Sequence, residues 1–197
     1  MATDGGPNIV TNGLVLHLDA GNVKSYPGSG TTWFDKSGNG NNGTLINGAI
    51  YSSTNGGSIV FDGVNDLLEG NDNGLLDFGT NSFSISTWMK FNTLQSGYKS
   101  IFSRGNPANG TRRWFYLAKY ETNNKFLFAV DDDIIKREVV SNTSAVVNVW
   151  YNVVGVRESN ISNRIYVNGI FESSQSDDGN SLDVDPIDAL FRFAAHR

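Results

Sequence analysis

Apolar and polar residues alternate with a period of two along most of this chain, the pattern of strands that bury one face. It is clearest in SFSISTWMKF, residues 82–91, where Phe83, Ile85, Thr87, Met89 and Phe91 fall on one side and Ser84, Ser86, Trp88 and Lys90 on the other. Leu14 to Leu18, Trp114 to Ala118, Lys125 to Val130, Trp150 to Val156 and Arg164 to Val167 read as further strands. Asn47-Gly48 in TLINGAIY and Asn168-Gly169 in IYVNGIFE each stand between β-like runs. Both predict two-residue hairpins, because a type I′ turn needs positive φ at both central residues. No window of a dozen residues carries a capped 3.6-residue period, so helix is expected to be confined to one turn near Asn71 to Leu76. Turn signals about every 8–12 residues suit a β-sandwich or jelly roll.

Composition narrows the class. With 197 residues, 39% hydrophobic and 12% aromatic, the chain is globular and long enough for one sandwich core. Its net charge is −5 and its Lys/Arg clusters reach only two neighbours, as at Arg112-Arg113. Nucleic acid and anionic membrane surfaces are therefore not expected partners. There is no cysteine, which excludes disulfides, Cys-zinc sites and thiol nucleophiles. No run approaches the roughly 18 apolar residues of a membrane span, so membrane insertion is not expected. The opening MATDGGPNIVTNG has neither the basic nor the apolar region of a secretory signal. The expected location is a virion or cell surface reached by another route, or otherwise the cytoplasm.

Several segments together resemble the laminin G-like group of concanavalin A-like jelly rolls, in the form found in phage structural and bacterial surface proteins. The matching pieces are GLVLHLDAGNVKSYPGSGTTWFDKSGNGNNGTL (13–45), GGSIVFDGVNDLL (56–68), FSISTWMKF (83–91), SIFSRG (100–105), NVWYNVVGVRES (148–159) and RIYVNGIFESS (164–174). The resemblance implies an all-β fold of two antiparallel sheets: an N-terminal extension over 1–12, then one domain over 13–197. It implies that Trp33, Trp88 and Trp150 lie in the core. It also implies that FRFAAHR (191–197) is the strand before a closing strand that the chain lacks, leaving an open sheet edge for other virion or surface proteins. The fold hosts lectins, glycosidases, lyases and purely structural modules, so it names no activity by itself.

Candidate chemistry is sparse. Asp62, Asn65 and Asp66 crowd side-chain oxygens into the FDGVND turn, and the family often holds calcium near strand ends. They are the candidate Ca2+ ligands; the alternative is that they satisfy the turn's own N–H groups. Asp131-Asp132-Asp133 reads either as a cation site or as a hairpin tip. The E-x-D-x-x-E pattern of jelly-roll glucanases is absent, and Asp183-Val184-Asp185 has carboxylate spacing but sits in a loop beside Pro186. His17 reads as structural and His196 is penultimate, so no catalytic residue is assigned. Sugar binding needs only aromatic faces for C–H surfaces and polar groups for hydroxyls. Tyr98, Trp114 and Tyr116, with Arg104 and Arg112 nearby, are the candidate glycan-binding residues, and Trp114 is equally readable as core. The expected function is a non-catalytic module for a polysaccharide or cell-surface glycan, a component of a phage tail or capsid decoration. The alternatives are a polysaccharide-degrading hydrolase or lyase and a purely structural assembly module.

Overall fold

The computed structural model describes residues 9–105, 113–120, 122–180, 182–185 and 190–194. The strands are β1 (Thr32–Trp33), β2 (Gly43–Ile46), β3 (Ile50–Ser52), β4 (Ser58–Val60), β5 (Leu67–Asn71), β6 (Phe83–Lys90) and β7 (Lys99–Arg104). They continue as β8 (Arg113–Lys119), β9 (Lys125–Asp132), β10 (Lys136–Ser144), β11 (Trp150–Glu158), β12 (Ser162–Val167), β13 (Ile170–Ser176) and β14 (Leu190–Phe193). An eight-stranded sheet has the order β1-β2-β5-β14-β7-β8-β9-β10, a four-stranded sheet the order β13-β12-β11-β6, and β3 pairs with β4 alone. All these pairings are antiparallel. The architecture is that of a jelly-roll sandwich.

The period-two pattern sets the packing. Phe115, Leu117, Phe126, Phe128 and Val130 of the large sheet join Phe83, Val153, Ile165 and Val167 of the small one in one buried cluster. Phe83 lies at its centre, with ring centroids 4.4 Å from Phe78 and 4.6 Å from Phe115. Two glycines admit rings where no side chain fits. A Cβ on Gly155 would lie 2.4 Å from the Phe128 ring, and one on Gly70 would lie 2.3 Å from Phe191 and 2.6 Å from the Asn42 carbonyl oxygen.

Four sequence expectations change. Asn47 and Gly48 do have positive φ, 65° and 111°, but their flanking strands part: β2 joins the large sheet and β3 joins β4, so no hairpin forms there. Asn168-Gly169 does join β12 to β13 as a hairpin. The helical turn expected near 71–76 is a hydrogen-bonded turn around Asp72, and among the described residues the one helical turn is a 3-10 turn at Thr54–Gly56. FRF of FRFAAHR is not itself a sheet edge, because β14 lies inside the large sheet and pairs with both β5 and β7.

The last change concerns Leu14 to Leu18, which is extended but forms no strand ladder. Its backbone is satisfied on one side by the loop 35–41 instead. The Val15 carbonyl accepts from Ser37 Oγ, Asn39 Nδ2 and Asn41 Nδ2, while His17 N–H donates to Asp35 Oδ1 and the His17 carbonyl accepts from Lys36 N. Asp35 organises the loop, accepting from the N–H groups of His17 and Ser37 at 2.9 Å each, from Ser37 Oγ at 2.6 Å and from Asn41 N at 3.1 Å. Burial pushes its carboxyl up, but these donors outweigh burial and hold it below the ordinary value of 3.8.

A carboxylate lowered on folding contributes stability that is complete above its unfolded pKa and fades as pH falls through the folded one. Asp35→Asn is therefore expected to cost about 1–2 kcal/mol near pH 7. In chemical denaturation across pH, the gap from wild type should narrow once pH drops below 3.8. A gap independent of pH would exclude this role for the charge.

Candidate functional site

The residues expected to bind glycan do not form an open platform. Trp114 and Tyr116 face away from the sandwich core, as their parity requires, yet they are only 5% and 2% exposed. Their rings pack at 4.6 Å and 43° in a second apolar cluster with Ala118, Leu127 and Ala129, bordered by Tyr98, Tyr120 and Val140. The Tyr116 hydroxyl donates to Glu138 Oε1 at 3.1 Å, and Tyr98 meets Tyr120 edge-on at 5.4 Å. Arg104 is wholly buried: its Nε lies 2.6 Å from Asp72 Oδ2, and its Nη2 pairs with Asp77 Oδ1. It ties β7 to the turn after β5. Burial raises the Asp77 carboxyl; Arg104 opposes this, and the carboxylates of Asp72 and Asp185 add to it. Arg112 and His196 lie outside the described residues.

The oxygen-rich turn after β4 is bonded within itself. Asp62 Oδ1 accepts from the N–H groups of Val64, Asn65 and Asp66 at 2.8, 3.1 and 3.2 Å. Asp66 Oδ2 accepts from Asp62 N at 2.9 Å, and the Asn65 carbonyl accepts from Asn47 Nδ2 at 2.7 Å. Beside the turn is a shallow cleft of about 240 Å³ lined by Asn47, Gly48, Ile50, Val60, Asp62 and Asp66. Among the described residues, no three His, Cys, Asp or Glu side chains group as a metal site. The three aspartates after Val130 shape a hairpin: Asp131 Oδ1 accepts from Asp133 N, and Asp132 Oδ1 from Ile134 N and Ile135 N. Asp183 pairs with Arg113 at 2.7 Å and Asp185 accepts from Gly79 N, so both hold the loop against its neighbours.

Polar and aromatic groups converge instead on the outer face of the small sheet. Trp88 is 67% exposed there, against the expectation that it fills the core. Its β6 parity, shared with Ser84, Ser86 and Lys90, already places it on the outer side. Cross-strand register aligns Ser86, Val154, Tyr166 and Phe171 in one row, Trp88 and Asn152 in the next, and Lys90 and Trp150 in the third. Phe171 is 53% exposed and meets Tyr166 edge-on at 5.6 Å. Half-buried Trp150 also lies on this outer face, with Lys90 Nζ 5.6 Å from its ring centroid. Asn152 Nδ2 donates to Ser86 Oγ at 3.3 Å, and Arg164 pairs with Glu158 at 2.6 Å nearby. The face offers aromatic planes, an amide, hydroxyls and an ion pair on a rigid sheet. The signal that finds it in the sequence is a tryptophan in register with serines and a lysine.

A family profile described as the concanavalin A-like lectin/glucanases superfamily matches residues 62–191. The chain belongs to this superfamily, in its laminin G-like branch. No curated protein matches it in sequence. Among solved structures it is similar to the binding domain of Paraclostridial Mosquitocidal Protein 1, with a TM-score of 0.74 and 14% identity over 95% of this chain and 45% of that one. It is also similar to the binding domain of botulinum neurotoxin DC, solved with rat synaptotagmin II, at TM-score 0.69 and 15% identity over 95% of this chain and 45% of that one. Domain 4 of AbnA, an extracellular arabinanase of Geobacillus stearothermophilus solved with arabinotriose, matches at TM-score 0.62 and 17% identity over 82% of this chain and 77% of that one. The chain spans less than half the length of the toxin binding domains. At these identities the likeness shows the fold. No helix among the described residues is long and apolar enough to cross a membrane.

Removing one partner of a buried ion pair strands the other charge. Asp72→Ala is expected to destabilise the fold by about 3–5 kcal/mol in urea titrations, because it takes the Nε partner from buried Arg104. Asp77→Asn, at a partly exposed partner, should cost markedly less.

Proposed function

We propose that the chain is a non-catalytic binding module that recognises carbohydrate through the outer face of its small sheet, in adhesion at the surface of a phage particle or a bacterium. The observation that carries this reading is Trp88, a large aromatic held two-thirds exposed on the regular strand that ends the small sheet. An exposed indole loses little conformational freedom on binding and offers a flat apolar plane to sugar C–H groups. Asn152 and Ser86 supply donors and acceptors for hydroxyls in the Trp88 row and the row beside it, and the Arg164–Glu158 pair supplies more further along the same face. The fold relatives support the class: toxin binding domains, and an arabinanase domain solved with arabinotriose. The phage or bacterial setting rests on the sequence resemblance to modules of such proteins.

The test is binding to a broad panel of surface and plant-type polysaccharides, followed by titration of the best ligand. Trp88→Ala should weaken binding about tenfold, roughly 1.4 kcal/mol, with an unchanged melting temperature. Trp114→Ala, at a buried residue, should lower the melting temperature and leave the affinity of the folded protein intact. Retention of no polysaccharide, or equal affinity in Trp88→Ala, refutes the reading.

We also propose that the cleft beside the FDGVND turn binds one calcium ion through Asp62, Asn65 and Asp66, with carbonyl oxygens and solvent completing the shell. The support is that Asp62 and Asp66 both line the cleft. Millimolar calcium should raise the melting temperature relative to excess chelator, and Asp66→Asn should abolish the difference. Coincident transitions with and without calcium would remove calcium from the description.

A further inference from the structure

A side chain in a regular strand can point only where the alternation sends it, and β13 breaks the alternation at one place. Its register with β12 shifts between Ile165 and Tyr166. Ser173 pairs with buried Ile165 on the inner side, yet Phe171, two residues before it, pairs with Tyr166 on the outer side. In a regular strand residues two apart share a face. A bulge at Glu172 separates them here and aims Phe171 outward. The bulge residue itself holds the strand in place. The Glu172 carboxylate accepts from Asn142 N at 2.8 Å, from Thr143 N at 2.9 Å and from the Thr143 hydroxyl, while Asn142 Nδ2 donates to the Glu172 carbonyl at 2.8 Å. β10 of the large sheet thus anchors β13 at the residue next to Phe171.

Phe171 therefore stands out from a fixed mount. It is 53% exposed, and the Tyr166 ring braces it at 5.6 Å and 65°. Holding a ring out in this way forgoes apolar burial. Its position relative to Trp88 follows from the register. Ser86, Val154, Tyr166 and Phe171 form one row across the four strands, and Trp88 and Asn152 begin the next. Three strand spacings, about 14 Å, separate β13, which carries Phe171, from β6, which carries Trp88. Half-buried Asn152 and Val154 lie between them on β11. Neither strand offers a second outward ring along its own length: β6 presents Ser84, Ser86 and Lys90 beside Trp88, and β13 presents Ser174 opposite Arg164. The two exposed rings are thus disposed across the strands.

We propose that Phe171, braced by Tyr166, is a second stacking subsite, and that the ligand is an extended glycan lying across the strands rather than a single terminal sugar. One sugar stacks on Trp88 and another on Phe171, and the units between them pass over Asn152 and Val154. The separation requires a chain of about three or more units. This inference rests on the carbohydrate reading and adds to it the length and direction of the ligand. Linking two contacts makes the second an intramolecular event, so affinity grows with chain length until both rings are covered. A disaccharide reaches one ring only.

The test titrates oligosaccharides of two to about eight units, made by partial hydrolysis of the best-binding polysaccharide of the panel, into the protein. Affinity should rise about tenfold or more from the disaccharide to the longest chains. Phe171→Ala should remove that gain and leave disaccharide binding at wild-type strength, whereas Trp88→Ala weakens both. Phe171→Leu keeps apolar cover over Tyr166 without a flat ring, so it should lose the gain even where the alanine variant folds poorly. Proton shifts of the Phe171 and Tyr166 rings should move with the long chains and stay fixed with the disaccharide. Affinity independent of length, or the wild-type length dependence retained in Phe171→Leu, overturns the subsite and leaves Trp88 as a lone sugar contact. So does an equal loss for short and long ligands in Phe171→Leu, which would make the ring part of the Trp88 contact. Retention of no polysaccharide removes both proposals.

Discussion

The large sheet is one sheet only because β14 bridges it. β1, β2 and β5 form one half and β7 to β10 the other, and no ladder joins β5 to β7 directly. β14 supplies both missing neighbours, with Phe191 opposite Gly70 on one side and Arg104 on the other. Phe191 is wholly buried and lies 6.4 Å from the Phe102 ring, while Arg192 pairs with Glu69 at 2.8 Å. The missing Cβ at Gly70 gives the Phe191 ring its place. The Arg104–Asp72–Asp77 cluster sits on the same seam, fastening the turn after β5 to β7. Everything placed on the large sheet inherits its position from this closure.

The two sheets use their outer faces differently. The large sheet packs Trp114 and Tyr116 among their neighbours and leaves little of them to solvent, whereas the small sheet holds Trp88 and Phe171 out. The difference arises from local crowding. Trp114 is adjacent in register to Asp131 and packs on Tyr116, whereas Trp88 faces Asn152 on the strand that ends its sheet among the described residues. Exposure of a large aromatic at a sheet border costs apolar burial that nothing in the fold recovers, and this is why it carries the binding proposal.

Fold class was legible because alternation is a local property. β6, β8, β9, β11 and β12 all appear where period two places them, and the Asn168-Gly169 hairpin follows from a two-residue conformational demand. Partnership was less legible. Asn47-Gly48 has the backbone of a hairpin turn, but β2 pairs with β5 rather than β3, a choice made by strands some twenty residues away. Leu14 to Leu18 alternates correctly yet lacks a ladder, because Asp35 and Asn41 satisfy one edge with side chains. For the site, parity put Trp88 outward while resemblance put it inward, and parity was the better guide. Burial of Trp114 and Tyr116 could not be read from parity, since it depends on neighbouring strands and on Tyr98 and Tyr120 covering an outward face.

The β14 bridge also sets a clock. During synthesis, β5 is complete long before Leu190 is added, and a ribosome adding roughly 5–20 residues per second needs on the order of 6–24 s for the stretch between them. Throughout that interval β5 lacks its β14 neighbour, and from the synthesis of β7 onward β7 lacks its own. The protein's vulnerable period is thus written into its topology. It ends only when four late residues slide between two structures already waiting for them.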